Sequence, residues 1–169
     1  MKHLCSLLLM SCLTLLSACV NDNEPSGPSL SVGDPLPSFS VVMNDGETVS
    51  NISLLGKTSV IIFFNTACPD CQKELPVVQQ LWEIYEDDPN IKIIAIAREE
   101  NEKKISDYWN QNNLTIPWSP QESREVFSLF APSIIPRIYI SDSQTIIRDI
   151  FTDNPLPSLE TLLTSLESI

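Results

Sequence analysis

Apolar residues fall into two kinds of pattern along this chain. SVIIFF at residues 59–64 and IKIIAIA at 91–97 are almost uninterrupted apolar runs with polar ends, as expected of strands buried on both faces. Between them the period changes. From Pro69 to Tyr85 the residues Leu75, Val78, Trp82 and Tyr85 are spaced three, four and three apart, which places them on one face of a helix. Helical patterns recur over NEKKISDYWNQNN (101–113) and SREVFSLF (123–130), and Leu159, Leu162, Leu163 and Leu166 form the stripe of a closing helix. RIYI and TIIRDIF flank SDSQ as a hairpin, and FSVVM and ETVS flank the turn Asn44-Asp45-Gly46 as another. This order predicts an α/β fold: a central mixed sheet flanked by helices, with an N-terminal β-hairpin in front.

The amino terminus reads differently. In MKHLCSLLLMSCLTLLSAC, Lys2 supplies a basic start, the apolar run from Leu4 to Leu16 is short for a bilayer span, and small residues precede a cysteine. Residues 1–18 are therefore predicted to be a cleaved secretion signal. Leu16-Ser17-Ala18-Cys19 resembles the lipobox of bacterial lipoproteins. That resemblance implies an acylated Cys19 as the first mature residue, anchored to a lipid membrane without crossing it. The plainer alternative is an ordinary signal followed by a chance cysteine. Residues 19–37, rich in Asn, Ser, Gly and Pro, read as a flexible tether, and 38–169 as one domain. Val20 stands where an Asp would resemble an inner-membrane retention signal. The expected location is thus the bacterial cell envelope facing the periplasm, with the outer membrane favoured.

Composition narrows the chemistry. A chain of 169 residues with 43% hydrophobic residues suffices for one domain with a proper core and excludes disorder throughout. The formal net charge of −12 becomes more negative once Lys2 leaves, which disfavours nucleic acid and suits a hydrated surface. Removing the leader also removes Cys5, Cys12 and His3, the sole histidine. Mechanisms that need a Cys-His or Ser-His pair are then excluded. With Cys19 capped by lipid, Cys68 and Cys71 are the remaining free thiols, too few for a structural zinc site of four Cys or His ligands. No metal and no cofactor is predicted.

Cys68-Pro69-Asp70-Cys71 therefore carries the chemistry, at the junction of a strand and a helix. A thiol at a helix start meets unpaired N–H groups and the positive end of the dipole, which favour thiolate. Cys68 is the expected nucleophile on a partner disulfide. Cys71, one turn along and facing inward, is expected to attack the resulting mixed disulfide. Pro69 suits the first helical turn, where its missing N–H costs nothing. Asp70 puts a carboxylate inside the motif that opposes the thiolate. The alternative, a purely structural disulfide, would close an unusually small loop.

CPDC followed by Pro76, with Ile135-Pro136 just before RIYI, resembles the active-site helix and cis-proline of thioredoxins. From about residue 31 to 169 the chain is similar to TlpA/ResA-type thioredoxin-like lipoproteins and membrane-tethered reductases. FFNTACPDCQKELP, NLTIPW and IIPRIYISD carry the match. The resemblance implies a thioredoxin fold and thiol-disulfide exchange with protein thiols in the envelope, fed by an unknown membrane electron donor. It implies that Glu74 tunes thiol acidity and handles protons, against the plain alternative of a solvated helix acid. It also implies a cis Pro136 that exposes the backbone of Ile135 to a substrate strand, with Pro69 and Asp70 beside it; Arg137 is either a thiolate partner or solvated. Two departures are Ala67 in place of the usual Trp and Ile62 in place of a buried carboxylate. Two rivals stand. Peroxiredoxins place Thr three residues before their cysteine, whereas Thr66 is two before Cys68. A lipid-anchored binding module would leave the cysteines incidental. Asp70 and Glu74 together predict a reductant, nearer thioredoxin's ~−270 mV than the ~−120 mV of DsbA.

Overall fold

The computed structural model describes residues 28–169, so the predicted signal and Cys19 lie outside the described residues. At its centre β3 (Thr58–Phe64) and β4 (Ile91–Ala97) pair in parallel, as the two apolar runs predict. Every side chain from Val60 to Phe64 and from Ile93 to Ala97 is buried. Alternation sends Val60, Ile62 and Phe64 to one face and Ile61 and Phe63 to the other, so both faces need cover. Each fully buried Ile or Phe contributes roughly 1.5–3 kcal/mol, so this core dominates stability.

The remaining strands extend the sheet in the order β5-β4-β3-β6-β7. β5 is Trp118–Ser119 and runs parallel to β4; β6 (Arg137–Ser141) is antiparallel to β3, and β7 (Ile147–Phe151) to β6. The sheet is thus mixed, as expected. One face is covered by α1 (Pro69–Tyr85), α2 (Glu102–Asn112) and a C-terminal helix (Leu159–Glu167), through Leu75, Val78, Leu81, Trp109 and Leu162. The other packs against β1 (Ser40–Val42), β2 (Thr48–Ser50) and the phenylalanines Phe127 and Phe130. The leading hairpin is present as an antiparallel pair, and Gly46 takes the positive φ of 88° in its turn.

Three expectations change. Residues 30–36 are part of the body: Leu30 N–H donates to Phe130 O (3.0 Å), Gly33 N–H to Ile147 O (2.8 Å) and Leu36 N–H to Thr145 O (2.8 Å). The boundary therefore moves from residue 38 to about Leu30, because a Pro- and Gly-rich stretch also suits a chain laid over a sheet with its backbone satisfied. Over 123–130 only α3 (Glu125–Ser128) is α-helical; Phe127 and Phe130 turn into the core and Pro132 follows closely. β5 has too few residues for a periodic signal, and it exists because Asn44 on the hairpin turn receives and donates hydrogen bonds to Trp118 (2.9 and 2.7 Å).

Candidate active site

β3 delivers the chain to the sheet's edge, and α1 begins at once. Cys68 is the N-cap of α1 with extended backbone (φ −81°, ψ 118°), and Pro69 opens the first turn as predicted. The Cys71 N–H donates to Cys68 Sγ at 3.3 Å, so a backbone donor at the helix start points at the sulfur. Both thiols are free; Cys68 is half-buried and Cys71 has no exposed surface. Burial pushes the Cys71 thiol up, and its hydrogen bond with Cys68 adds to the rise. The two cysteines are therefore unequal in the way the sequence predicts: one accessible at the helix end, one held as a buried thiol.

The Ile135-Pro136 bond is cis and lies opposite. Cys68 Sγ is 3.7 Å from the carbonyl oxygen of Ile135, 67 residues away in sequence, so the helix start and the entry to β6 meet at one spot. Ala67, Cys68, Pro69, Ile134, Ile135 and Arg98 line an open groove of ≈ 510 Å³. Pro69 and Ile135 thus face the space where a client would lie. Asp70 instead pairs with Lys73 (2.7 Å), with both side chains well exposed. Arg137, weighed as a thiolate partner, donates to the Tyr139 hydroxyl at 3.4 Å.

Glu74 is buried, 1% exposed, and neither carboxylate oxygen has a hydrogen-bond partner among the described residues. The solvated-acid alternative is thereby excluded. Burial raises its pKa from 4.5 to about 7, so near neutrality it is poised between acid and base. Ile62 is fully buried in the helix-side core, so the departure from a carboxylate there is real.

Two neighbours of the cysteine pair escaped the sequence reading. Arg98 follows β4 and lines the groove; Glu100 is 4% exposed and accepts from both the N–H (2.8 Å) and the hydroxyl of Thr66. Their position just past the carboxyl end of a parallel strand was the available signal, because sites in such sheets collect there.

A family model described as the AhpC/TSA family matches residues 32–150. Among named relatives, the thiol-disulfide oxidoreductase ResA of Bacillus thuringiensis (strain Al Hakam) is 24% identical over 113 residues, 67% of this chain and 65% of that protein's length. Among solved structures, one from Bacteroides thetaiotaomicron superimposes with a TM-score of 0.75 at 23% identity, covering 84% of this chain and 90% of its own. StoA from Bacillus subtilis gives 0.65 at 21% identity, covering 82% and 99%. These likenesses show the thioredoxin-like fold.

Proposed function

Because the chain belongs to the AhpC/TSA family, we propose that its dithiol exchanges with protein disulfides, making it a thiol-disulfide oxidoreductase. The observation that carries this reading is the unequal pair: Cys68 capping α1 within reach of the groove, and Cys71 buried behind it. The Cys68 thiolate attacks one sulfur of a client disulfide, forming a mixed disulfide and expelling the client's other sulfur as thiolate. Cys71 then loses its proton and attacks Cys68 Sγ, closing the Cys68–Cys71 bond and releasing the second client thiolate. Two electrons pass from protein to client. Because burial disfavours the Cys71 thiolate, its proton needs an acceptor, and Glu74 is one turn along the same buried side of α1 with a pKa near 7. The Ile135 backbone is the proposed edge on which the client chain pairs in strand fashion.

The protein is proposed to act as a reductant outside the cytoplasm, tethered through lipid on Cys19 and supplied by an unidentified membrane electron donor. What supports the direction is the dipeptide between the cysteines, which brings a carboxylate and no positive charge; Lys73 offsets part of that effect. A peroxidase reading finds less support, since the Thr66 hydroxyl is committed to Glu100.

The test is turnover of insulin disulfides by the mature protein, with a redox titration in glutathione buffers. Cys68→Ser should abolish turnover and Cys71→Ser should accumulate mixed disulfides. Wild-type turnover that survives Cys68→Ser would remove the oxidoreductase reading, and a potential above about −150 mV would remove the reductant direction.

A further inference from the structure

The mechanism above leaves Arg98 without a task, yet the fold holds it in place from several sides. Its N–H donates to Phe64 O (2.8 Å), and its carbonyl accepts from Asn65 Nδ2 (3.0 Å), so its backbone is tied to the segment that leads into Cys68. Two residues on, Glu100 clamps Thr66. Between them Glu99 adopts a positive φ of 59°, uncommon for a residue with a side chain. The result is a guanidinium on the groove wall beside Cys68.

Its charge is poorly answered. Arg98 Nε is buried without a hydrogen-bond partner among the described residues. The half-exposed Glu99 carboxylate lies 3.6 Å from Arg98 Nε and 4.0 Å from Arg124 Nε, so one acid faces two guanidiniums. Both arginines also lie over the Phe127 ring, at 5.3 and 5.9 Å from its centroid. Arg98 and Arg124 share Glu99, Glu100 is committed to Thr66 beside them, and of these four Arg98 lines the groove next to the nucleophile.

We infer that Arg98 is a specificity-determining residue that selects client disulfides whose attacked cysteine has an aspartate or glutamate as a neighbour in sequence. A planar guanidinium lining the groove suits a carboxylate better than any other client group. Lysine at the same client position meets repulsion instead. A client strand laid along the Ile135 backbone puts its cysteine at Cys68 and a flanking side chain toward Arg98. The inference rests on the oxidoreductase reading and assigns its substrate class.

The experiment uses the reduced mature protein and disulfide-linked peptides in which the residue before or after the cysteine is Glu, Gln or Lys, reading peptide thiol release at low salt. Exchange runs in this assay whichever direction the protein serves in the cell. The Glu peptide should react about tenfold faster than the Lys peptide, and the ratio should shrink toward one at high salt. Arg98→Gln should bring the ratio to about one even if it slows every peptide, because a general loss of thiolate leaves ratios unchanged. Glu99→Gln removes the competing acid and should widen the ratio. Glutathione disulfide, a small carboxylate-bearing substrate, should show no greater dependence on Arg98 than the Gln peptide; a larger one would reassign the groove to small thiols. Equal rates for all peptides, or a ratio indifferent to both variants, would overturn the inference while leaving the oxidoreductase standing. Failure to exchange with any peptide would remove both.

Discussion

Glu74 shows how much a single residue's surroundings decide. On sequence it is one acid among 22; in the fold it is 1% exposed and unpartnered, with a pKa of about 7. A carboxyl whose pKa is raised by folding binds its proton more tightly in the native state, so stability falls as pH rises. The cost is absent below the ordinary value of 4.5 and complete above about 7. Glu74→Gln should therefore match the wild type near pH 4 and exceed it at pH 8 by about 2 kcal/mol, after allowing for solvent screening. Urea unfolding at the two pH values checks this, and equal offsets at both would contradict the burial account. The same variant should slow release of the mixed disulfide at least ~10-fold at pH 7, since it retains no proton acceptor.

At the scale of elements, α1 divides its labour. Its first turn carries the thiols, while its middle is bolted to the loop before β5 by Gln79, which is 7% exposed. Gln79 Oε1 accepts from the N–H groups of Thr115 (2.8 Å) and Ile116 (3.2 Å), and its Nε2 donates to Thr115 Oγ1 (2.8 Å). Trp109 Nε1 on α2 donates to Ile116 O (2.9 Å), so two helices grip the same short segment. Gln79→Leu keeps the volume and leaves both N–H groups without that acceptor. The expected loss is about 2–3 kcal/mol, or roughly 5–10 °C in Tm. A thermal melt within a degree of wild type would show that the loop finds other partners. The segment NLTIPW, on which part of the sequence resemblance rests, is a docking point for α1 and α2.

For the whole molecule, no helix among the described residues is long and apolar enough to cross a membrane. The proposed lipid attachment at Cys19 would have its reach limited by the docking of residues 30–36. The eleven steps from Cys19 to Leu30 extend at most about 40 Å, so with that anchor the proposed site would work close to the bilayer. Cys19→Ala, still secreted, should move the protein from the detergent phase to the aqueous phase. If that variant remained fully membrane-bound, the lipid anchor would be wrong.

Much of this protein was legible one residue at a time along the chain. Uninterrupted apolar runs set β3 and β4, the 3.6-residue period set α1 and α2, and turn residues between short β-prone runs set the hairpins, whatever lies opposite them. The spacing of Cys68 and Cys71, with Pro69 between them, likewise determined a helix-start dithiol, since capping and dipole effects act within one turn. Only tertiary structure could decide which charges count. Glu74 became a buried acid because α1 turned that side inward, Asp70 met Lys73, and Arg98 rather than Arg137 came to line the groove. The same holds for β5 and the docked residues 30–36, whose hydrogen bonds reach partners far away in sequence. Local periodicity carries no record of such pairings, because desolvation and charge depend on what the rest of the chain brings alongside.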